Sequence, residues 1–184
     1  MTVTTAKWTL DEYHQIVEAG FLRDRHIELL NGEMIEMPPE GPEHAQLSTD
    51  AADDLRQLLG SQALVRDAKP ITLPDSGSEP EPDLAIVEPN REVYRSRHPY
   101  PSEVFWLIEY SNTSLAKDLE AKRKTYAQAG IQEYWVVDLK TRLVKVFREP
   151  FEGNYRSELT LQTGEISPLA FPGVKVSVQR LLGK

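Results

Sequence analysis

The sequence predicts an α/β fold, a mixed β-sheet flanked by helices, with an N-terminal helix and a β-hairpin. Three observations lead there. Two short apolar runs, Leu84-Ala85-Ile86-Val87 and Val104 to Tyr110, read as strands buried on both faces. A helical pattern over residues 115–129 separates the second of these from another apolar strand, Glu133 to Asp138, the spacing of a parallel crossover. Antiparallel pairs come from hairpins elsewhere in the chain.

The elements follow in order. Residues 9–19 carry an amphipathic helical pattern, with Thr9 as N-cap, Glu12 completing a capping box and Gly20 as the stop. Residues 26–30 and 33–37 flank Asn31-Gly32, a strong type I′ hairpin signal. Residues 43–59 place Leu47, Ala51, Leu55 and Leu58/Leu59 on one helical face. Residues 62–73 give one or two strands. Pro74 to Pro82 is a loop with the Ser, Gly, Pro and acid content of a mobile segment. After the strand at 83–87 comes a basic, aromatic loop (88–102), then the Glu109 strand, a polar turn at 111–114 and the helix ended by Gly130. Strands follow at 133–138 and 143–147, with weaker candidates at 154–163 and 174–178. No repeat or linker divides the chain, so a single domain spanning residues 1–184 is expected.

Composition narrows the function classes. With 40% hydrophobic and 27% charged residues, the chain has the make-up of a globular domain. No window approaches the roughly 18 apolar residues of a membrane span. The first residues lack the basic and then apolar pattern of a signal peptide, and a cytoplasmic protein is the expectation. The absence of cysteine excludes disulfides and thiolate metal sites, and the four histidines are scattered singly. A net charge of -8 argues against a broad basic DNA-coating face. Two stretches are locally basic. Arg91, Arg95 and Arg97 stand against Glu92, and Lys117, Lys122, Arg123 and Lys124 stand against Asp118 and Glu120.

The informative residue is Glu109. A glutamate closing a strand that is apolar on both faces is paired or binds a metal, because an isolated carboxylate is rarely buried. Asp83 begins the neighbouring apolar run. Asp118, Lys122 and Tyr126, at i, i+4 and i+8, share one helical face after Glu109. Converging carboxylates with an ammonium nearby suit a divalent cation with oxygen ligands and phosphodiester chemistry. Each residue also has a plainer role. Asp83 suits a turn, Asp118 suits the first turn of a helix, Tyr126 suits packing, and Glu28 suits the polar side of a hairpin. His44 suits an exposed helix start, or a proton carrier or phosphate contact. Arg95, Arg97 and Lys124 suit solvated positions or phosphate contacts.

Pro82-Asp83 followed by Glu109-Tyr110-Ser111 resembles the signature of the PD-(D/E)XK nucleases, which share the restriction-endonuclease-like fold. The wider pattern is similar to the Uma-type restriction endonuclease family. It comprises Glu28-Leu29 into Asn31-Gly32-Glu33, His44, Asp83, Glu109 with Ser111, Asp118-Lys122-Tyr126, and Gly130-Ile131 into Glu133-Tyr134-Trp135, over residues 8–148. The resemblance implies an endonuclease hydrolysing DNA, with Asp83 and Glu109 holding Mg2+ or Mn2+ and Glu28 as a further carboxylate. The motif's lysine, two residues after the acid, is Ser111 here, and the resemblance moves that role to Lys122. It also implies a homodimer or homo-oligomer, and Leu169, Phe171 and Val174 suit either an interface or local packing. Two other readings stand beside it: a non-catalytic binding protein of the same fold, and a metal-dependent hydrolase of a small phosphate ester.

Overall fold

A computed structural model describes residues 5–112 and 118–184. A six-stranded mixed sheet forms its centre, in the order β3-β4-β5-β6-β7-β8. The strands are β3 (Leu64–Asp67), β4 (Leu84–Val87), β5 (Val104–Ser111), β6 (Glu133–Asp138), β7 (Leu143–Phe151) and β8 (Asn154–Leu161). Only the β5–β6 pair is parallel, Leu107 facing Tyr134 and Ser111 facing Asp138. The other four pairs of this sheet are antiparallel. The sequence placed the crossover helix between β5 and β6, where parallel pairing requires one.

Helices cover both faces. Helix α2 (Pro42–Leu59) lays Leu47, Leu55 and Leu59 on Trp106, Ile108 and Trp135, and the C-terminal α4 (Val178–Leu181) joins the same layer. The opposite face receives Tyr126 and Ala127 from α3 (Arg123–Gln128), with Ile71 and Leu73 beside them. A separate small core joins α1 (Leu10–Glu18) to the hairpin through Tyr13, Ile27 and Leu29. Thr9 and Glu12 form the expected capping box.

The hairpin joins β1 (Ile27–Leu30) and β2 (Glu33–Glu36), Leu30 facing Glu33. Asn31 and Gly32 both have positive φ, 53° and 74°, as a type I′ turn requires. A Cβ on Gly32 would also meet Lys7 Cβ at 2.9 Å, so glycine is needed twice over. Asn31 Nδ2 donates to Thr125 Oγ1 at 2.9 Å, tying the hairpin to the crossover helix.

Residues 62–73 hold one strand, β3, within the one or two expected. Other expectations need correction. The segment 74–82, whose composition suits a mobile loop, is packed: Ser78 and Glu79 are buried, and isolated bridges join Leu29 to Glu79 and Leu73 to Ser78. The helix expected over 115–129 opens, within the described residues, with a π-helical turn (Asp118–Lys122) before α3. Residues 113–117, expected to hold the polar turn and the helix start, lie outside the described residues, as does the side chain of Asp118. The 174–178 segment gives a two-residue β10 (Val176–Ser177) paired with β9 (Glu165–Ile166), then α4. Among the interface candidates, Phe171 and Val174 pack on the core, and Leu169 is exposed.

Glu133 shows how this sheet handles a buried acid. Its side chain is fully buried. Oε1 accepts from Trp135 Nε1 (2.8 Å) and from Arg148 Nε (2.8 Å) and NH2 (2.6 Å), and Oε2 accepts from the Leu169 backbone N–H (2.7 Å). Glu133→Gln puts an amide donor among these donors. It is expected to cost about 2 kcal/mol, read as a lowered urea midpoint at unchanged slope; an unchanged midpoint would refute this account.

Candidate metal centre between the strand-end carboxylates

Antiparallel pairing of β4 with β5, Leu84 facing Ile108, brings Asp83 and Glu109 to adjacent positions at one end of the sheet. Both line a cleft of ≈ 370 Å³ with His26, Glu40, Glu43, His44 and Glu81. The charged lining found there is thus five carboxylates and two imidazoles. Such a concentration of negative charge repels a phosphate backbone until a cation offsets it.

Asp83 is held in place by its own backbone surroundings. Its Oδ2 accepts the Tyr110 backbone N–H at 2.6 Å. Its Oδ1 lies 3.0 Å from His44 Nε2. His44 sits in the first turn of α2, which the Pro38-Pro39-Glu40-Gly41-Pro42 segment delivers to the cleft. Despite that distance, His44 Nε2 is a buried nitrogen without a hydrogen-bond partner among the described residues. The contact is close but misdirected, so it counts as electrostatic rather than as a hydrogen bond. Glu40, His44 and Asp83 each present one ligand atom, and the three atoms lie within 4.8 Å of one another. An orphaned imidazole nitrogen beside two carboxylates fits a cation, which would give that nitrogen a partner.

Burial pulls the His44 imidazole pKa down, but Asp83, Glu40 and Glu109 outweigh burial and the net shift is upward from 6.5. A folded-state pKa above the unfolded one adds stability below the unfolded value, which is lost as pH rises through the folded value. Metal-free protein is therefore expected to melt at lower temperature as pH climbs above 6.5, with a shallower decline in His44→Gln. Parallel profiles for the two proteins would remove His44 as the cause.

Behind the cleft, Glu109 joins a buried ionic cluster. Lys122 Nζ donates to Glu109 Oε1 at 2.7 Å and lies 3.2 Å from Glu28 Oε2. Tyr126 OH donates to the same Glu109 oxygen at 3.0 Å. Glu28 Oε2 also accepts the Glu81 backbone N–H at 3.3 Å. Lys122 has no exposed surface, and Glu28 and Glu109 are nearly as buried. The π-helical turn ends at Lys122, and π-turns recur at functional sites.

Six of the sequence candidates thus converge: Asp83, Glu109, Lys122, Glu28, His44 and Tyr126. The basic candidates are elsewhere. Arg97 is held by Glu103 at 2.6 and 2.8 Å and stacks over Tyr100 at 4.1 Å, against a different cleft. Arg95 pairs with Glu92, and Lys124 is exposed on α3.

Sequence reading missed Glu40 and the histidine pairs. Glu40 precedes the helix that carries His44, so the spacing of four between them holds no helical signal. All four histidines lean on one extended stretch: His14 on Glu79 (2.9 Å), His98 on Glu79 (3.9 Å), His26 on Glu81 (3.2 Å) and His44 on Asp83.

A mixed sheet with acids meeting at one end of its central strands, between helical layers, defines a restriction-endonuclease-like protein. The chain belongs to the Uma2 family, described as "Putative restriction endonuclease", whose model matches residues 10–179. Its fold is similar to the crystal structure of a protein from Anabaena variabilis ATCC 29413 described as a putative nuclease belonging to DUF820. The TM-score is 0.71 at 15% identity, covering 95% of this chain and 97% of the other. No curated protein matches the chain. Among the described residues, no helix is long and apolar enough to cross a membrane.

Proposed function

We propose that this protein is a divalent-metal-dependent endonuclease that hydrolyses DNA phosphodiester bonds. The observation carrying this reading is the meeting of Asp83 and Glu109 from adjacent strands in one acidic cleft, with a buried lysine directly behind Glu109. Asp83 and Glu109 would hold the ion, which when bound polarises a phosphoryl oxygen and makes a bound water more acidic. Asp83 is fixed by the Tyr110 N–H, so its carboxylate enters the cleft preorganised. Lys122 and Tyr126 both bond one oxygen of Glu109, which fixes the rotamer of that carboxylate. Lys122 acts through Glu109, and is a positioning residue in this arrangement. The motif position two after the acid, Ser111, is buried at the end of β5.

The test is incubation of supercoiled plasmid and single-stranded DNA with Mg2+, with Mn2+ and with EDTA. Nicking or linearisation in the metal lanes and none with EDTA is expected. Intact DNA in every lane, with folded protein, would move the assignment to the non-catalytic or small-phosphate-ester readings.

A further inference from the structure

We propose that Glu40, His44 and Asp83 together ligate the ion, and that the imidazole donor makes the site select Mn2+ and later first-row ions over Mg2+. The inference rests on the metal-dependent reading of the cleft and concerns which residues hold the ion and which ion they choose. Donors around one ion at 2.0–2.5 Å stand at most about 5 Å apart, and these three atoms already lie within 4.8 Å of one another. Occupancy therefore needs no large rearrangement. His44 Nε2 is buried and unbonded among the described residues, so coordination would satisfy an atom that the fold leaves unsatisfied. Glu109, whose Oε1 is bonded by an ammonium and a phenol, stays beside these three as the further carboxylate of the proposed site.

The donor set decides the ion. Magnesium takes oxygen ligands and near-octahedral geometry, whereas imidazole suits later first-row metals, whose affinities rise from Mn2+ onward. Two carboxylates with one imidazole favour the second group. The Pro-Pro-Glu-Gly-Pro segment stiffens the chain before α2, since proline fixes φ, and so limits how far Glu40 can stray. The positive end of α2 opposes a cation with about half a charge, and the five carboxylates lining the cleft outweigh it.

The experiment is Mn2+ binding followed by electron paramagnetic resonance, with Mg2+ as competitor, on wild type, His44→Gln and Glu40→Gln. Wild type is expected to bind Mn2+ at least about tenfold more tightly than Mg2+ and to show ¹⁴N modulation of the bound Mn2+. Protein labelled with ¹⁵N-histidine should replace that modulation, which assigns the nitrogen without any substitution, even where a variant fails to fold. His44→Gln should lose the modulation and at least about tenfold in Mn2+ affinity while Mg2+ affinity stays within about threefold. Glu40→Gln should weaken both ions and keep the modulation. Bound Mn2+ without nitrogen modulation in wild type would overturn this inference, and the nuclease reading would survive if DNA is still cut. Nitrogen-coordinated Mn2+ with no cleavage would do the reverse. No Mn2+ binding at all would overturn both.

Discussion

Replacing Lys122 with methionine is expected to destabilise the protein by about 3–5 kcal/mol, because it removes one partner of a buried ion cluster. The side chain is wholly buried between Glu28 and Glu109, at 3.2 and 2.7 Å. Methionine matches its length and fills the space, so the loss is electrostatic rather than a cavity. Two carboxylates that are nearly as buried then face each other without their ammonium. For a chain of this size each kcal/mol moves the melting temperature by roughly 2–4 °C, so a fall on the order of 10 °C should appear in a thermal melt. A double variant, Lys122→Met with Glu109→Gln, removes one surplus charge and should recover part of the loss. A single variant that melts with wild type would show that the lysine does not hold this cluster together.

Asp83→Asn is expected to reduce DNA cleavage at least about a hundredfold, the scale seen when one preorganised electrostatic contact is removed, while leaving the fold intact. Asparagine keeps the shape of the side chain, and its carbonyl oxygen can still accept the Tyr110 N–H that Asp83 accepts at 2.6 Å. What disappears is the negative charge in the cleft. Activity should fall without a matching fall in melting temperature. Cleavage within about threefold of wild type would rule Asp83 out as a ligand, whatever else the cleft does.

The sequence made the sheet, α2 and the hairpin readable because each rests on a local signal: two-sided apolar runs, helical periodicity, Asn-Gly. Glu109 stood out because an acid in a buried strand must be compensated, and the compensation was found on the helix that follows. The rest depended on contacts between distant residues. Nothing local marks the π-helical turn at 118–122, yet it ends at the lysine that bonds Glu109. The 74–82 segment has a loop's composition, and only its bridge to Leu29 and the His14 partner of Glu79 show why it is packed. Glu40 lies between prolines where no periodicity exists, so its approach to His44 and Asp83 emerges only once α2 is docked. Arg95 and Arg97 looked like a basic patch in one dimension, but in space their charges are taken by Glu92 and Glu103.

The bond between Lys122 and Glu28 also carries a lesson in timing. Glu28 leaves the ribosome early, and its lysine follows 94 residues later, the same separation that joins Asn31 to Thr125. Until then Glu28 lacks the ammonium of Lys122, and β6 does not yet exist to pair with the Glu109 strand. The cleft is therefore finished late in synthesis, by closure of long loops rather than by local folding. A chain that stops before residue 122 carries Glu28 and Glu109 but not the lysine that lies between them. The order of synthesis thus places assembly of the buried ionic cluster after residue 122 has been added.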